Sequence, residues 1–202
     1  MAINIHTTSL QALMGVIEAH QVPDEEEKRL IASSFKLQSF KRRSPLLRMG
    51  ETAHHLYFVV QGVLHMHYLD ETGQMHSCAF FMPGELGTDL ESFSKQAPAG
   101  NEITALTSVV CLSISCKETV LLMEQSPAFN KYIMDVVEAT AMQNINRTKD
   151  LLSLQPESRY QKLLATRPDI IREVPLKYIA RFLGMSPESL SRIRGRMVTQ
   201  SA

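Results

Sequence analysis

Glutamate and arginine stand four residues apart near the end of the 202-residue chain, at Glu188 and Arg192 in the segment LGMSPESLSRIRGRM. Side chains at this spacing lie on one face of an α-helix. Arginine can donate two hydrogen bonds to the edge of guanine, and glutamate can accept one from cytosine. Alternatively, the two side chains only pair with each other in solvent. Base recognition is therefore a hypothesis that depends on the elements around this helix.

Two short helices joined by a glycine turn are predicted around this pair. Ala180 is small and allows a second helix to approach closely. Gly184 follows four residues later and can adopt the positive φ of a tight turn. Ser186 suits the capping position and Pro187 the first helical position of the second helix. The inward-facing apolar residues are Ile179, Phe182, Leu183, Leu190, Ile193 and Met197. This pattern predicts a helix-turn-helix, whose second helix enters the major groove of DNA.

Charge is unevenly distributed along a chain whose formal net charge is zero. Residues 156–202 contain 9 Lys and Arg against 4 Asp and Glu, whereas residues 1–155 contain 12 against 17. A basic terminal segment on an acidic body favours contact with a polyanion. The charge distribution is equally compatible with two ordinary solvated surfaces, so it supports the helix-turn-helix only in combination with the pattern above.

Composition narrows the class of protein further. Apolar residues make up 44% of the chain, which is enough for a folded core. Three cysteines without metal-ligand spacing argue against a disulfide framework and indicate a reducing compartment. We see no signal peptide and no apolar run long enough to cross a membrane. We therefore expect a cytoplasmic protein without membrane contact.

A β-rich region is predicted between about residues 35 and 115. Short segments rich in Val, Leu, Phe and Tyr, such as LYFVVQGVLHMHYLD and ITALTSVVCLSIS, are separated by glycine and proline. Strands this short and numerous predict an antiparallel barrel or sandwich. Residues 9–33 precede it with two helical patterns.

A long helix is predicted after the barrel, with Ser126 as its cap and Pro127 in its first turn. It extends over roughly 27 residues, or about 40 Å. An apolar seam on such a helix is covered either by the core or by a partner helix. We favour a homodimer seam, formed by Phe129, Ile133, Val136, Val137, Ile145 and Leu152. Pro156 breaks the helix, so the predicted division is 1–116 for the barrel, 117–154 for the connecting helices and 155–202 for the terminal domain.

Motifs in the barrel and in the terminal helices resemble the Crp/Fnr family of bacterial transcription regulators over about residues 23–197. The similar segments are GE at residues 50–51, LYFVVQG, PGELG at residues 83–87, and E-x-x-S-R at residues 188–192. The resemblance implies an α+β fold: a cyclic-nucleotide-binding-like antiparallel β-barrel or jelly roll, similar to the cupin fold, with flanking helices, a long dimerisation helix and an all-α C-terminal helix-turn-helix domain.

The resemblance also implies which residues contact DNA. Base contacts are expected from Glu188, Ser191 and Arg192, at the start of a helix where Ser186 and Pro187 contribute shape. Only five residues follow Met197, so we expect a form without the β-hairpin wing that is usual in the family. Phosphate contacts are then predicted for Lys177, Tyr178, Arg181, Ser189, Arg194 and Arg196.

A sensor pocket in the barrel is a further implication of the resemblance. Members that bind cyclic AMP use a Gly-Glu-Leu segment, retained here at residues 84–86, and an Arg-Ser pair, here replaced by Ala99 and Gly100. A buried phosphate without a paired cation loses a strong charge-assisted contact. We therefore expect an effector of unknown identity that is not cyclic AMP. The predicted pocket residues are Met66, Tyr68, Gly84, Glu85, Leu86, Lys95, Ala99 and Gly100.

Two histidines of one strand, His65 and His67, suggest a competing site. A simple hairpin would place His67 opposite His76 and His65 opposite Cys78. Such a set could hold zinc or iron and would permit a cupin-like metal-dependent enzyme. The inward face of the strand is predicted to be Leu64, Met66 and Tyr68. The histidines are therefore expected to face solvent, and we predict no metal and no other cofactor.

The predicted function is that of a sequence-specific DNA-binding transcription regulator rather than an enzyme. The predicted partners are double-stranded DNA, a second copy of the chain and a small-molecule effector. The alternatives are the cupin-like metal-dependent enzyme and a ligand-binding dimer that does not read DNA.

Overall fold

The computed structural model describes residues 5–200, with side chains described as far as Met197. The first two helices are α1 (Ile5–Glu18) and α2 (Glu25–Ser34). The strands are β1 (Lys36–Phe40), β2 (Pro45–Leu47), β3 (His55–Gln61), β4 (Leu64–Leu69), β5 (Met75–Phe81), β6 (Leu86–Gly87), β7 (Glu102–Ala105) and β8 (Val109–Ser115), with helix α3 (Leu90–Lys95) between β6 and β7. The last helices are α4 (Cys116–Gln125), α5 (Pro127–Ser153), α6 (Pro156–Thr166), α7 (Pro168–Glu173), α8 (Leu176–Phe182) and α9 (Pro187–Gln200).

The strands form two four-stranded antiparallel sheets, in the orders β1-β8-β3-β6 and β2-β7-β4-β5. Their facing sides enclose a core in which Phe58, Leu64, Ile103 and Leu112 have no exposed surface. The predicted α+β fold, an antiparallel barrel with flanking helices and a helical C-terminal region, is confirmed. None of the helices between residues 5 and 200 is long and apolar enough to cross a membrane.

The hairpin formed by β4 and β5 contains a β-bulge between Met66 and His67. The observed pairs are His65 with Phe80, Met66 with Ala79, His67 with Ser77 and Tyr68 with His76. The prediction that placed Cys78 opposite His65 and His76 opposite His67 is therefore wrong. The pairing is already shifted by one residue between the turn and His67, and the bulge, which adds one residue to one strand, shifts Met66 and His65 by one more.

Helix α5 is 27 residues long, and its two halves have different surroundings. Phe129 is completely buried and Ile133 is 9% exposed, and both belong to the core of their own barrel. Val136 and Val137 are half-buried against the same core. The prediction that Phe129 and Ile133 form a dimer seam is wrong, because their own barrel already buries them, whereas Val136 and Val137 remain partly exposed. Of the predicted seam, Ile145 and Leu152 remain exposed, at 50% and 83%.

The C-terminal helices share a second hydrophobic core with the barrel. Leu163, Ile179 and Leu190 pack in one cluster with Phe80 and Met82, which lie at the end of β5 and just beyond it. Helix α8 contacts β5 directly. The terminal helices are therefore docked on the β4–β5 side of the barrel.

Candidate DNA-binding face and barrel cavity

Helices α8 and α9 are joined by a tight turn at residues 183–186. Gly184 has a φ of +66°, which a residue with a side chain rarely adopts. Ala180 is completely buried where the two helices meet. On α9 the inward-facing Leu190 is also completely buried, and Ile193 is 4% exposed. This geometry agrees with the helix pair that the sequence predicts.

The outer face of α9 exposes Glu188, Ser191 and Arg192 to solvent. The Ser186 hydroxyl accepts a hydrogen bond from the backbone N–H of Ser189 at 3.2 Å and so caps the helix. Hydrogen bonds from the backbone N–H of Glu188 itself and from the Ser186 side chain lower the pKa of the Glu188 carboxyl. Glu188 is therefore an acceptor at neutral pH. Between residues 5 and 197 no ion pair joins it to Arg192, so the two side chains do not simply neutralise each other.

The remaining predicted contacts on this surface differ in their surroundings. Arg194 is exposed beside the outer face of α9. Arg196 is also exposed, but its Nη2 lies 3.2 Å from a carboxylate oxygen of Glu157 at the start of α6. Lys177 is exposed, with its Nζ 4.7 Å from the centre of the Tyr178 ring. Lys177, Arg194 and Arg196 are thus positioned where phosphates can approach.

Two predicted phosphate contacts, Tyr178 and Arg181, lie against the barrel instead. The Tyr178 ring is 4.8 Å from the ring of His65. Arg181 Nη1 donates a hydrogen bond to the sulfur of Met75 at 3.2 Å. Contrary to the prediction, both side chains belong to the junction between α8 and the β4–β5 hairpin in this arrangement. The resemblance placed both residues next to the DNA-reading helix, but it could not show that the barrel covers this side of α8.

The histidines of β4 are buried beneath α8, at 1% exposure for His65 and 5% for His67. Their rings stack 4.7 Å apart, and His65 Nε2 is hydrogen-bonded to the Ser77 hydroxyl at 2.9 Å. Burial, with the neighbouring His67 and Arg181, lowers the pKa of His65 to about 3, so its imidazole is neutral. The prediction that these histidines face solvent is wrong. In the described part of the chain no three His, Cys, Asp or Glu side chains converge on a possible metal site.

Glu85 faces the C-terminal helices rather than the barrel interior. It follows Gly84, which has a φ of +90°, and accepts a hydrogen bond from the backbone N–H of Met82 at 2.9 Å. Its other carboxylate oxygen lies 3.0 Å from Nη2 of Arg167, at the end of α6. Burial raises the pKa of this carboxyl, and Arg167 opposes the shift. Glu85 therefore connects the barrel to the terminal domain and does not line the predicted pocket.

Other predicted pocket residues are scattered over the barrel. Tyr68 is 38% exposed and stacks on His76 at the surface. Lys95 forms an exposed ion pair with Glu91 at 2.8 Å. Leu86 is buried in the main core. The structure does not bring these three residues together.

A small cavity of about 230 Å³ does bring Met66 and Gly100 together. Ala99, which precedes Gly100, is buried. The cavity is also lined by Asp89, whose carboxylate is 4% exposed and accepts hydrogen bonds from the backbone and side chain of Asn101 at 3.2 and 2.9 Å. A buried carboxylate next to this cavity would repel a phosphate. The sequence does not identify Asp89 as a cavity residue, because an acidic residue after a short strand is also a common helix cap, which it is here for α3.

Residues 37–126 match the family model of the cyclic nucleotide-binding domain. The barrel is similar to this domain over those residues. No protein of curated function matches the sequence.

Solved structures resemble the chain well beyond the cyclic nucleotide-binding domain. FixK2 from Bradyrhizobium japonicum has a TM-score of 0.74 at 14% identity, covering 83% of this chain and 86% of FixK2. The c-di-GMP-responsive global regulator CLP of Xanthomonas campestris has a TM-score of 0.69 at 16% identity, covering 88% and 93%. A CooA variant from Carboxydothermus hydrogenoformans has a TM-score of 0.69 at 14% identity, covering 93% and 84%. The chain has the fold of these Crp/Fnr regulators, which confirms the resemblance at the level of the fold.

Proposed function

We propose that the chain is a DNA-binding transcription regulator of the Crp/Fnr type, which reads a specific sequence with α9. The observation that carries the proposal is the exposed face of Glu188, Ser191 and Arg192, on a capped helix supported by the buried Ala180 and Leu190. The fold of FixK2 and CLP supports the same function. Residues 1–116 are proposed as the sensor domain, 117–154 as the connecting segment and 155–202 as the DNA-binding domain.

We further propose that two copies of the chain bind DNA together. The second half of α5 exposes Met142, Ile145 and Leu152 at spacings of three and seven residues, with exposed fractions of 53%, 50% and 83%. This spacing is that of a helix–helix seam. Two parallel copies of α5 would present two α9 helices to successive major grooves, about 34 Å apart on a near-palindromic site.

Introducing a charge into this seam should separate the dimer. For Ile145→Glu we expect a monomer in size-exclusion chromatography with light scattering, because two buried carboxylates would face each other without cations. Thr140 lies on the opposite, exposed face of the same helix, so Thr140→Glu should leave the wild-type mass unchanged. A dimer for Ile145→Glu at micromolar concentration would contradict the proposed seam.

Selection of bound sequences from a random DNA library, followed by gel shifts, tests the DNA-binding function itself. The wild-type chain is expected to enrich a site with two related half-sites. If the chain enriches no sequence, sequence-specific reading is refuted, even if the chain still binds DNA. The same experiment separates the regulator from a ligand-binding dimer that does not contact DNA.

Arg192→Ala should reduce affinity for the selected site by about 1–3 kcal/mol, because a bidentate contact to a base edge is lost. Its affinity for random DNA should change much less. Arg194→Ala provides the matched control, because Arg194 is an exposed arginine of the same helix. This variant should weaken binding to selected and to random DNA by similar factors. Equal losses on selected and random DNA for Arg192→Ala would assign that side chain to a phosphate.

A further inference from the structure

A cavity of about 400 Å³ lies at the junction between the barrel and the terminal domain, where α5, α6 and α8 meet β5. Its apolar wall includes Phe80, Leu163, Ile170 and Phe182. Its polar wall has four neutral side chains and four cations, those of Arg147, Arg159, Lys162 and Arg167, against a single carboxylate, that of Asp150. The cavity therefore combines a hydrocarbon surface with an excess of positive charge.

Two of the four cations are already neutralised by neighbouring carboxylates. Lys162 Nζ lies 2.7 Å from a carboxylate oxygen of Asp150. Arg167 Nη2 lies 2.9 Å from Asp169 and 3.0 Å from Glu85. These two side chains do not need a further anion.

Arg147 has no such partner. Its Nη2 donates hydrogen bonds to the backbone carbonyls of Ser77 at 2.8 Å and Phe182 at 3.1 Å, and its guanidinium lies 4.4 Å from the centre of the Phe182 ring. It forms no ion pair with any carboxylate of the described residues, and its buried Nε has no hydrogen-bond acceptor there. Burial lowers the pKa of this guanidinium, although it remains charged.

Arg159 of α6 repeats this arrangement in the same cavity. Its Nη1 donates to the carbonyls of Leu151 and Leu154 at the end of α5, at 3.2 Å each. Its Nε is also buried without an acceptor, and in the described part of the chain it too lacks an ion pair. A buried N–H without an acceptor is unfavourable, and neither of the two guanidinium groups has a carboxylate beside it.

We propose that this cavity binds a small organic anion in which an oxyanion, either a carboxylate or a phosphate, is joined to an apolar group. The oxyanion would accept hydrogen bonds from Arg147 and Arg159, and the apolar group would pack on Phe80 and Leu163. Such a ligand contacts α5, α6 and β5 at once, and therefore stabilises the docked position of the terminal helices. The effect of this ligand on DNA affinity rests on the proposed function, whereas the binding of the ligand to the cavity does not.

Isothermal titration calorimetry of the full chain without DNA tests the site directly. The probes are phenyl phosphate and phenylacetate, with benzyl alcohol as the neutral probe and inorganic phosphate as the anion without an apolar group. At least one aromatic anion is expected to bind saturably with a Kd of about 1 mM or lower, and the other two at least about tenfold more weakly. Which of the two aromatic anions binds more tightly distinguishes a phosphate from a carboxylate ligand.

Variants locate the binding in the cavity. Arg159→Gln should weaken binding of the tighter probe by about tenfold or more, because a charge-assisted contact is lost. Arg172→Gln is the matched control, since Arg172 is an exposed arginine paired with Glu173 outside the cavity; its affinity should equal that of the wild type. Lys162→Glu, at an exposed position on the rim, should also weaken binding and tests the site if Arg159→Gln does not fold.

Absence of saturable binding by either aromatic anion up to about 10 mM would overturn the proposal. Equal affinities of Arg159→Gln, Lys162→Glu and Arg172→Gln would overturn it as well. Saturable binding by a chain that enriches no DNA sequence would leave this site established and refute only the proposed function.

Discussion

Replacing Phe80 by alanine is expected to lower the free energy of unfolding of the C-terminal helices by about 3–5 kcal/mol. Phe80 is 4% exposed and lies in the core that the barrel shares with the terminal domain. Its ring is 5.1 Å from His65 and 5.4 Å from Phe182. Truncation would remove both contacts and leave a cavity beneath α8.

The chain contains no tryptophan, so urea unfolding is best followed by circular dichroism at 222 nm, which reports on the helices. For Phe80→Ala we expect the terminal helices to unfold at lower urea than the barrel, which separates the curve into two transitions. Tyr68→Ala is the control, because Tyr68 is an exposed aromatic residue of the same hairpin; its effect should be within about 1 kcal/mol. A single transition with the wild-type midpoint for Phe80→Ala would show that the terminal domain does not depend on the barrel.

Helix caps, glycine turns and helical periodicity were sufficient to predict where the helices begin and end. The cap at Ser126 and Pro127 gave the start of α5, and the positive φ available to Gly184 gave the turn between α8 and α9. These features depend only on residues close in sequence. The periodicity of α9 also separated its buried face from Glu188 and Arg192 for the same reason.

What covers an apolar or polar face could not be predicted from periodicity. The apolar residues of α5 were assigned to a partner helix, yet Phe129 and Ile133 pack on their own barrel. Tyr178 and Arg181 were assigned to DNA, yet they contact the hairpin of β4 and β5. A repeat of 3.6 residues identifies a buried side of a helix but not the element that buries it.

The predicted effector pocket is not assembled as a whole, for a related reason. The pocket residues were chosen by position in a motif, but the turn at Gly84 directs Glu85 toward Arg167. The cavity at the junction between the barrel and the terminal domain could not be predicted, because in the sequence Arg147 and Arg159 resemble any solvated arginine of a polar helix. Their lack of carboxylate partners is a property of tertiary contacts, which one sequence does not display.

A carboxylate of α2 fixes the start of α5, and with it the position of every residue that α5 contributes to the junction. Glu27 Oε1 accepts hydrogen bonds from the Ser126 hydroxyl at 2.7 Å and from the Ala128 backbone N–H at 2.9 Å. Its Oε2 accepts one from the backbone N–H of Asp24 at 2.9 Å, which completes the capping box of α2. One side chain, 9% exposed, thus satisfies donors at the N-termini of two helices.

Glu27→Ala should therefore lower the free energy of unfolding of the barrel by about 3 kcal/mol, because charge-assisted bonds to donors at two helix N-termini are lost together. Glu26→Ala, at the exposed neighbouring position, should change it by less than about 0.5 kcal/mol. Burial acts to raise the pKa of Glu27, but the bonds from Ala128, Ser126 and Asp24 outweigh it and lower the pKa.

The stabilisation by Glu27 has a defined dependence on pH. The carboxyl of the unfolded chain takes up its proton near pH 4.3, about the ordinary value for glutamate. The folded one does so only at lower pH, so the stabilisation is complete above this value and is lost as the pH falls through the folded pKa. The advantage of the wild type over Glu27→Gln, measured by urea unfolding from pH 7 to pH 3, should accordingly be constant down to about pH 5 and then shrink. A difference that grows on acidification would mean that the folded state holds Glu27 protonated, and that hydrogen bonds to a neutral carboxyl, rather than to a carboxylate, anchor α5.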